Sequence, residues 1–221
     1  MGISIIIPIL NEEPVLKEEQ EYFKKLGQKA QLFFVDGGSS DGSMGVASQY
    51  GRVVSSRAGR GLQKNVGAAC SQDDVLCFLH VDTKIEIESL EGVQKCCLAG
   101  CDVGCFRLKV DDSGWVFRFF EKFVNRRARK FSVMDGDLGM FISRRVFNCL
   151  GGFNQKLRYM EDIEFSRRLT NDLKVCVLES EIVVSSRKWT EKGFLITFWN
   201  YAVAYLQYWT GICFRKDIFI E

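Results

Sequence analysis

Asp36, Asp82 and Asp162 are the carboxylates whose sequence surroundings best suit chemistry, and His80 is the only histidine of the chain. His80 and Asp82 follow a continuous apolar run, Val75 to Leu79, which reads as a central strand covered on both faces. Ligands of open α/β sheets bind at the carboxyl ends of such strands. An acid held there, here Asp82 next to Thr83, can ligate a divalent cation, and that cation can neutralise a diphosphate. Asp36 also ends an apolar stretch, and Gly37 and Gly38 behind it let backbone approach a ligand closely. The same acid can instead hydrogen-bond its own turn.

Arg60 and Lys64 stand beside Gly59 and Gly61 at the start of a helix, a place suited to phosphate or, more simply, to solvated cations. The stretch is neither a G-x-G-x-x-G nor a Walker A sequence, so dinucleotide and P-loop readings lose their main support. Glu161 and Asp162 open another helix. Acids there stabilise the helix dipole, or act as a general base when an acceptor hydroxyl lies within reach. One histidine excludes multi-imidazole metal centres and catalytic pairs that need a second histidine. No G-x-S-x-G accompanies His80 to support a serine hydrolase.

The elements that must position these residues follow from patterning. Strands are expected at Ile3–Leu10, Gln31–Asp36, Arg52–Ser55 and Asp74–Thr83, with helices at Glu13–Leu26 and Gly61–Cys70 between them. This alternation predicts βαβ units and a mainly parallel sheet. Further on, helices are expected at Leu90–Leu98, Trp115–Phe131, Arg144–Leu150 and Met160–Leu169, a more exposed strand at Asp102–Val110, a strand at Gly139–Ser143, and two short strands within Lys174–Val184. The basic end of the Trp115–Phe131 helix suits its carboxyl terminus without further function.

The chain has 221 residues, 47% of them hydrophobic, enough for one well-filled domain. Its 30 basic and 28 acidic residues leave a net charge of +2, which gives no global field for nucleic acid. The first residues lack the marks of a secretory signal, so a cytoplasmic location is expected. Nine cysteines, mostly in apolar surroundings, read as reduced core thiols. Cys96, Cys97, Cys101 and Cys105 form the one cluster suited to metal, but without paired C-x-x-C spacing or a nearby histidine the core reading is preferred. From Gly193 to Phe214 there is no charge, and an amphipathic helix is expected over the tail 191–221. It would pack on the 1–190 domain, on a second subunit in a homodimer, or in the plane of a membrane surface at the inner face of the cell membrane.

Pro8–Glu12, Val35–Gly42, Gly61–Ala68, Phe78–Thr83 and Met160–Asp162 occur in the order that resembles the family 2 glycosyltransferases of the GT-A fold. Gly136–Phe141, Glu161–Leu169 and Arg187–Trp189 further resemble the short radical-SAM/selenodomain-associated subgroup. The resemblance implies a nucleotide pocket lined by Pro8, Asn11, Glu12 and Asp36, with Arg60 and Lys64 facing the diphosphate. It implies Mg²⁺ or Mn²⁺ on Asp82, Asp162 as base of an inverting transfer with Glu161 as partner, and Asp137 near the donor sugar or acceptor. Arg187 and Trp189 would close over the product diphosphate. The usual D-x-D is His80-Val81-Asp82 here, which leaves His80 as a metal ligand or as support for one. Leu138 stands where the subgroup often has a polar residue. The implied partners are a nucleotide diphosphate sugar and an acceptor of unspecified class; the rival readings are a nucleotidyltransferase and a nucleotide-binding protein without chemistry.

Overall fold

The structure is a computed structural model that describes residues 1–186, Trp199 and Val203. The tail helix expected at 191–221, and with it Arg187 and Trp189, lies outside the described residues apart from those two positions. Four strands of the amino-terminal half, β1 (Ile3–Ile9), β2 (Gln31–Asp36), β3 (Arg52–Ser55) and β4 (Val75–Phe78), pair in parallel in the spatial order β3-β2-β1-β4. Strands β5 (Thr83–Ile85), β6 (Val103–Val110), β7 (Phe141–Ser143) and β8 (Val175–Val184) complete one eight-stranded sheet in the order β3-β2-β1-β4-β7-β6-β8-β5. Beyond β4 the sheet is mixed. β7 runs antiparallel to both β4 and β6, whereas β6 and β8 are parallel.

Period-two alternation in β1 divides the core. Ile3, Ile5, Ile7 and Ile9 face one apolar layer with Phe23, Leu26 and Val93, while Ile6 faces the other with Phe78, Val124, Phe147 and Phe165. The first layer is roofed by α1 (Glu13–Glu18), α2 (Gln20–Gly27) and α5 (Ser89–Leu98), the second by α4 (Arg60–Cys70), α6 (Trp115–Phe131), α7 (Arg144–Cys149) and α8 (Glu161–Arg167). The short α3 (Ser43–Ala47) follows β2. Gly67 lets α4 lie directly on the sheet, since a Cβ there would stand 2.5 Å from Ile6 Cγ2. Each fully buried Phe or Ile adds about 1.5–3 kcal/mol, so this double layer supplies the rigidity on which the loops depend.

Several expectations change. The helix expected over Glu13–Leu26 is broken at Glu19, whose ψ of 19° leaves the helical basin. β6 is not a more exposed strand: Val103, Cys105 and Phe106 are fully buried, because α6 covers one face and Phe141 meets the other. Lys174–Val184 holds one strand with a register slip where Val177 and Glu181 pair with Cys105 and Arg107, rather than two strands. The edge strand β5 has no counterpart among the expected strands, since Thr83 reads as the end of the preceding one; it pairs antiparallel with β8.

Candidate active site

The carboxyl ends of β1, β2 and β4 share one edge of the sheet, and the loops that follow them carry most of the chemical residues. After β1, Asn11 adopts a left-handed conformation with φ 55°. Its backbone N–H donates to Ser39 Oγ at 2.9 Å and its Oδ1 accepts from Ser40 N at 2.8 Å. Glu12 N donates to the buried Ser43 Oγ at 2.7 Å, and Gly42 N donates to Glu13 Oε2 at 2.8 Å. The two loops are therefore laced together by side chains. Asp36 is 2% exposed, and its carboxylate accepts from Gly38 N at 2.9 Å and Ser39 N at 3.1 Å. That acid does hold its own turn, in which Gly38 has φ 99°. Pro8 lies in β1 opposite Val35 and is half-buried.

Gln63 joins this corner to α4. Its Nε2 donates to Ile9 O at 3.0 Å and Val35 O at 2.7 Å, and its Oε1 accepts from Gly59 N at 3.2 Å. Residue reading passed over Gln63, although it sits inside the stretch that drew attention to Arg60 and Lys64. Arg60 is exposed in the first turn of α4. Lys64, by contrast, points inward: its Nζ lies 2.7 Å from Glu161 Oε1, with side chains 2% and 5% exposed, and 4.9 Å from the Phe153 ring centre. The resemblance implies Lys64 on the diphosphate; in the structure its ammonium is paired with Glu161.

The pair brings α8 to the same edge. Burial alone would raise the Glu161 carboxyl, but the Lys64 charge and hydrogen bond, helped by Arg60, hold it below the ordinary carboxylate range. Asp162 goes the other way. Burial first, then the Glu161 charge, push it up to about 6, against the opposing pull of Lys64. Its Oδ2 accepts from Gly136 N and its Oδ1 from Ile163 N. The residue before this pair, Met160, has φ 62°, a strained conformation for a non-glycine residue that swings the acids into place.

Gly136 to Leu138 form a single 3₁₀ turn, stitched to α8 by Ser166, whose hydroxyl accepts from Met134 N at 3.0 Å and donates to Asp162 O at 2.9 Å. Gly136 has to be glycine: a Cβ would stand 2.8 Å from His80 Nε2 and 3.1 Å from Asp162 Oδ2. His80 Nδ1 lies 3.2 Å from Asp137 Oδ1. His80 Nε2 is buried with no hydrogen-bond partner among the described residues. Asp82 is exposed in the turn between β4 and β5. Contacts and adjacent residues thus lead from Val35, next to Asp36, through Gln63, Lys64, Glu161, Asp162 and Gly136 to His80, two residues from Asp82. Asp82 fits a divalent cation by the chemistry of its donor, an exposed carboxylate oxygen of the kind that hard cations take. Two cavities of about 430 and 560 Å³ lie at the opposite edge, among Asp74, Val75 and Arg144 in one case and Ile3, Gln31 and Arg52 in the other, and neither borders these residues.

Residues 4–153, more than half of the chain, match the model of the family described as glycosyl transferase family 2. No curated protein matches the chain. Among solved structures, residues 1–349 of Staphylococcus aureus TarS in complex with UDP-GlcNAc align with TM-score 0.66 at 18% identity, over 84% of this chain and 58% of that one. The mannosyltransferase PcManGT from Pyrobaculum calidifontis in complex with GDP-Man and Mn²⁺ aligns with TM-score 0.69 at 14% identity, over 90% of this chain and 59% of that one. Glucosyl-3-phosphoglycerate synthase from Mycobacterium tuberculosis, in complex with Mn²⁺, UDP and glucosyl-3-phosphoglycerate, aligns with TM-score 0.60 at 19% identity, over 83% of this chain and 70% of that one. At these identities the likeness establishes the fold, and the chain spans less than two thirds of the first two.

Proposed function

The chain belongs to glycosyl transferase family 2, and on that premise we propose that it moves a sugar from a nucleoside-diphosphate sugar to an acceptor hydroxyl by one inverting displacement, with Asp162 as general base. The observation that carries this reading is the opposed fate of two adjacent acids. Lys64 fixes Glu161 as a carboxylate, and Glu161 then helps lift Asp162 to about 6. A base poised there is ionised at neutral pH yet basic enough to take a hydroxyl proton as the new bond forms. In the balanced step the acceptor oxygen bonds to the anomeric carbon and its proton passes to Asp162. The bond from that carbon to the diphosphate breaks, and the diphosphate leaves with the electron pair.

The nucleotide would lie along the laced loops, against Pro8, Asn11, Glu12 and Asp36. Asp36 already spends acceptor capacity on Gly38 and Ser39, so it shapes the pocket as much as it touches base or ribose. Arg60, at the amino end of α4, would face the diphosphate. Mg²⁺ or Mn²⁺ on Asp82 would supply neutralisation of the charge growing on the departing diphosphate. His80, set between Asp137 and Gly136, would orient Asp137 toward the donor sugar rather than ligate the ion directly. The Mn²⁺, UDP and GDP-Man bound in similar structures support this donor class and a hexosyl transfer. Leu169, Arg187 and Trp189 belong to stretches that resemble the radical-SAM/selenodomain-associated subgroup, to which we assign the chain on that likeness.

The reading is tested by a thermal-shift screen of nucleoside diphosphates and their sugars with and without Mn²⁺, because ligands of the folded state raise its melting temperature. Stabilisation by UDP or GDP sugars that needs Mn²⁺ and is lost in Asp82→Ala is expected. Release of pyrophosphate instead of a nucleoside diphosphate in a turnover assay would contradict it.

A further inference from the structure

Outside the carboxyl edge, the described residues hold a knot of thiols. Cys96 lies in the last turn of α5, Cys101 in the connection to β6, and Cys176 is the second residue of β8; their sulfurs all fall within 4.8 Å of one another. The sequence cluster named Cys105 as the fourth member, but Cys105 faces the other apolar layer with Val103 and Leu108, and Cys176 takes its place through the β6–β8 register.

We propose that Cys96, Cys101 and Cys176 form a three-thiolate site for one soft, closed-shell cation, zinc(II) or copper(I). Metal–thiolate bonds of about 2.3 Å around one ion require sulfurs roughly 4 Å apart, so the trio has to close by less than about 1 Å. The backbone is already bent for this: Cys101 N donates to Cys96 O at 3.1 Å, which folds the loop back on the helix end. Cys101 is buried and the other two are half-buried. Thiolates select zinc or copper(I) over the hard cations that suit carboxylate oxygens. The 430 Å³ cavity that Cys101 and Cys97 border supplies an entry path.

Cysteine binds a metal as thiolate, so uptake releases thiol protons and affinity rises with pH. The site sits at the starts of β6 and β8, the edge remote from Asp162, and would staple α5 to β8. It stands independently of the glycosyl-transfer reading.

The test uses the full chain, reduced and metal-free, titrated with zinc(II) and, in a separate anaerobic arm, with copper(I), each against a chromophoric competitor. One equivalent in either arm, with proton release, is the expected result, and the tighter arm identifies the class of ion. Changes beside metal ligands already cost 10–100-fold in affinity, so Cys176→Ser and Cys96→Ser should each weaken binding at least about 100-fold, while Cys70→Ser leaves it unchanged. Both half-buried variants keep the test open where Cys101→Ser fails to fold. Absence of stoichiometric uptake, or affinity unchanged in Cys176→Ser and Cys96→Ser, would overturn the site.

Discussion

The two halves of the carboxyl edge use acids differently. Around β1 and β2, the carboxylates of Asp36 and Asp41 are tied to backbone N–H groups, Asp36 to Gly38 and Ser39 and Asp41 to Ser43, while Glu13 accepts from Gly42 N and pairs on the surface with Lys17. Around β4 and α8, charged groups meet one another instead, Lys64 with Glu161 and His80 with Asp137, and one of them, Asp162, is left lifted to about 6. An acid tied to the backbone of its own turn fixes a loop. An acid lifted by burial and a like charge can exchange a proton. The first region is built to hold a shape, the second to do chemistry, and Gln63 and Lys64, adjacent on α4, connect them.

Breaking the second region should have the larger effects. Asp162→Asn removes the proton acceptor and should lower turnover by about 10²–10⁴-fold, the usual worth of a general base. Calorimetric binding of a nucleoside diphosphate should stay near the wild-type value. Lys64→Met leaves Glu161 as an unpaired charge in a site only 5% exposed and should cost about 3–5 kcal/mol in denaturant unfolding. Asp82→Ala should abolish the Mn²⁺ dependence of nucleotide binding with little change in stability, because the residue is exposed.

The first region should respond through shape. Ser43→Ala removes the hydroxyl that accepts from Glu12 N and donates to Asp41. A buried donor left unmet costs about 1–3 kcal/mol, and KM for the donor should rise more than kcat falls. Met160→Gly is the mildest change: it relieves a left-handed conformation costing roughly 1–2 kcal/mol, so unfolding should shift upward slightly, while turnover drops if that strain aims Asp162. Unchanged turnover would assign Met160 to folding alone.

Much of the first region was legible in the sequence because its signals are local. The β-branched run of β1, the apolar run of β4 and the glycines after Asp36 each declare an element or a turn within a few residues. The match at β3 is complete, since Arg52–Ser55 is bounded by turn residues on both sides. The second region was legible as residues but not as partners. Lys64 and Glu161 lie 97 positions apart, and nothing periodic marks that one cation will face inward. Gly136 gave no sign that it must pass between His80 and Asp162. Cys176 was missed for the same reason: it reaches Cys96 and Cys101 through the long-range pairing of Gly104 with Cys176 between β6 and β8.

Asp162 also gives the account its pH signature. Its folded value of about 6 is above the ordinary 3.8, so between those values the folded chain keeps a proton that the unfolded chain has released. That contribution to stability is present at low pH and is lost as pH rises through about 6, the same interval in which the base becomes competent. The most direct test is the pH dependence of kcat for transfer, or for slow donor hydrolysis, from the UDP or GDP sugar that the thermal-shift screen selects. The account predicts a wild-type rate that falls tenfold per pH unit below about 6 and an Asp162→Asn variant that is at least about a hundredfold slower and flat over that range. An Asp162→Asn enzyme with wild-type turnover, or one that keeps the same fall below pH 6, would contradict it.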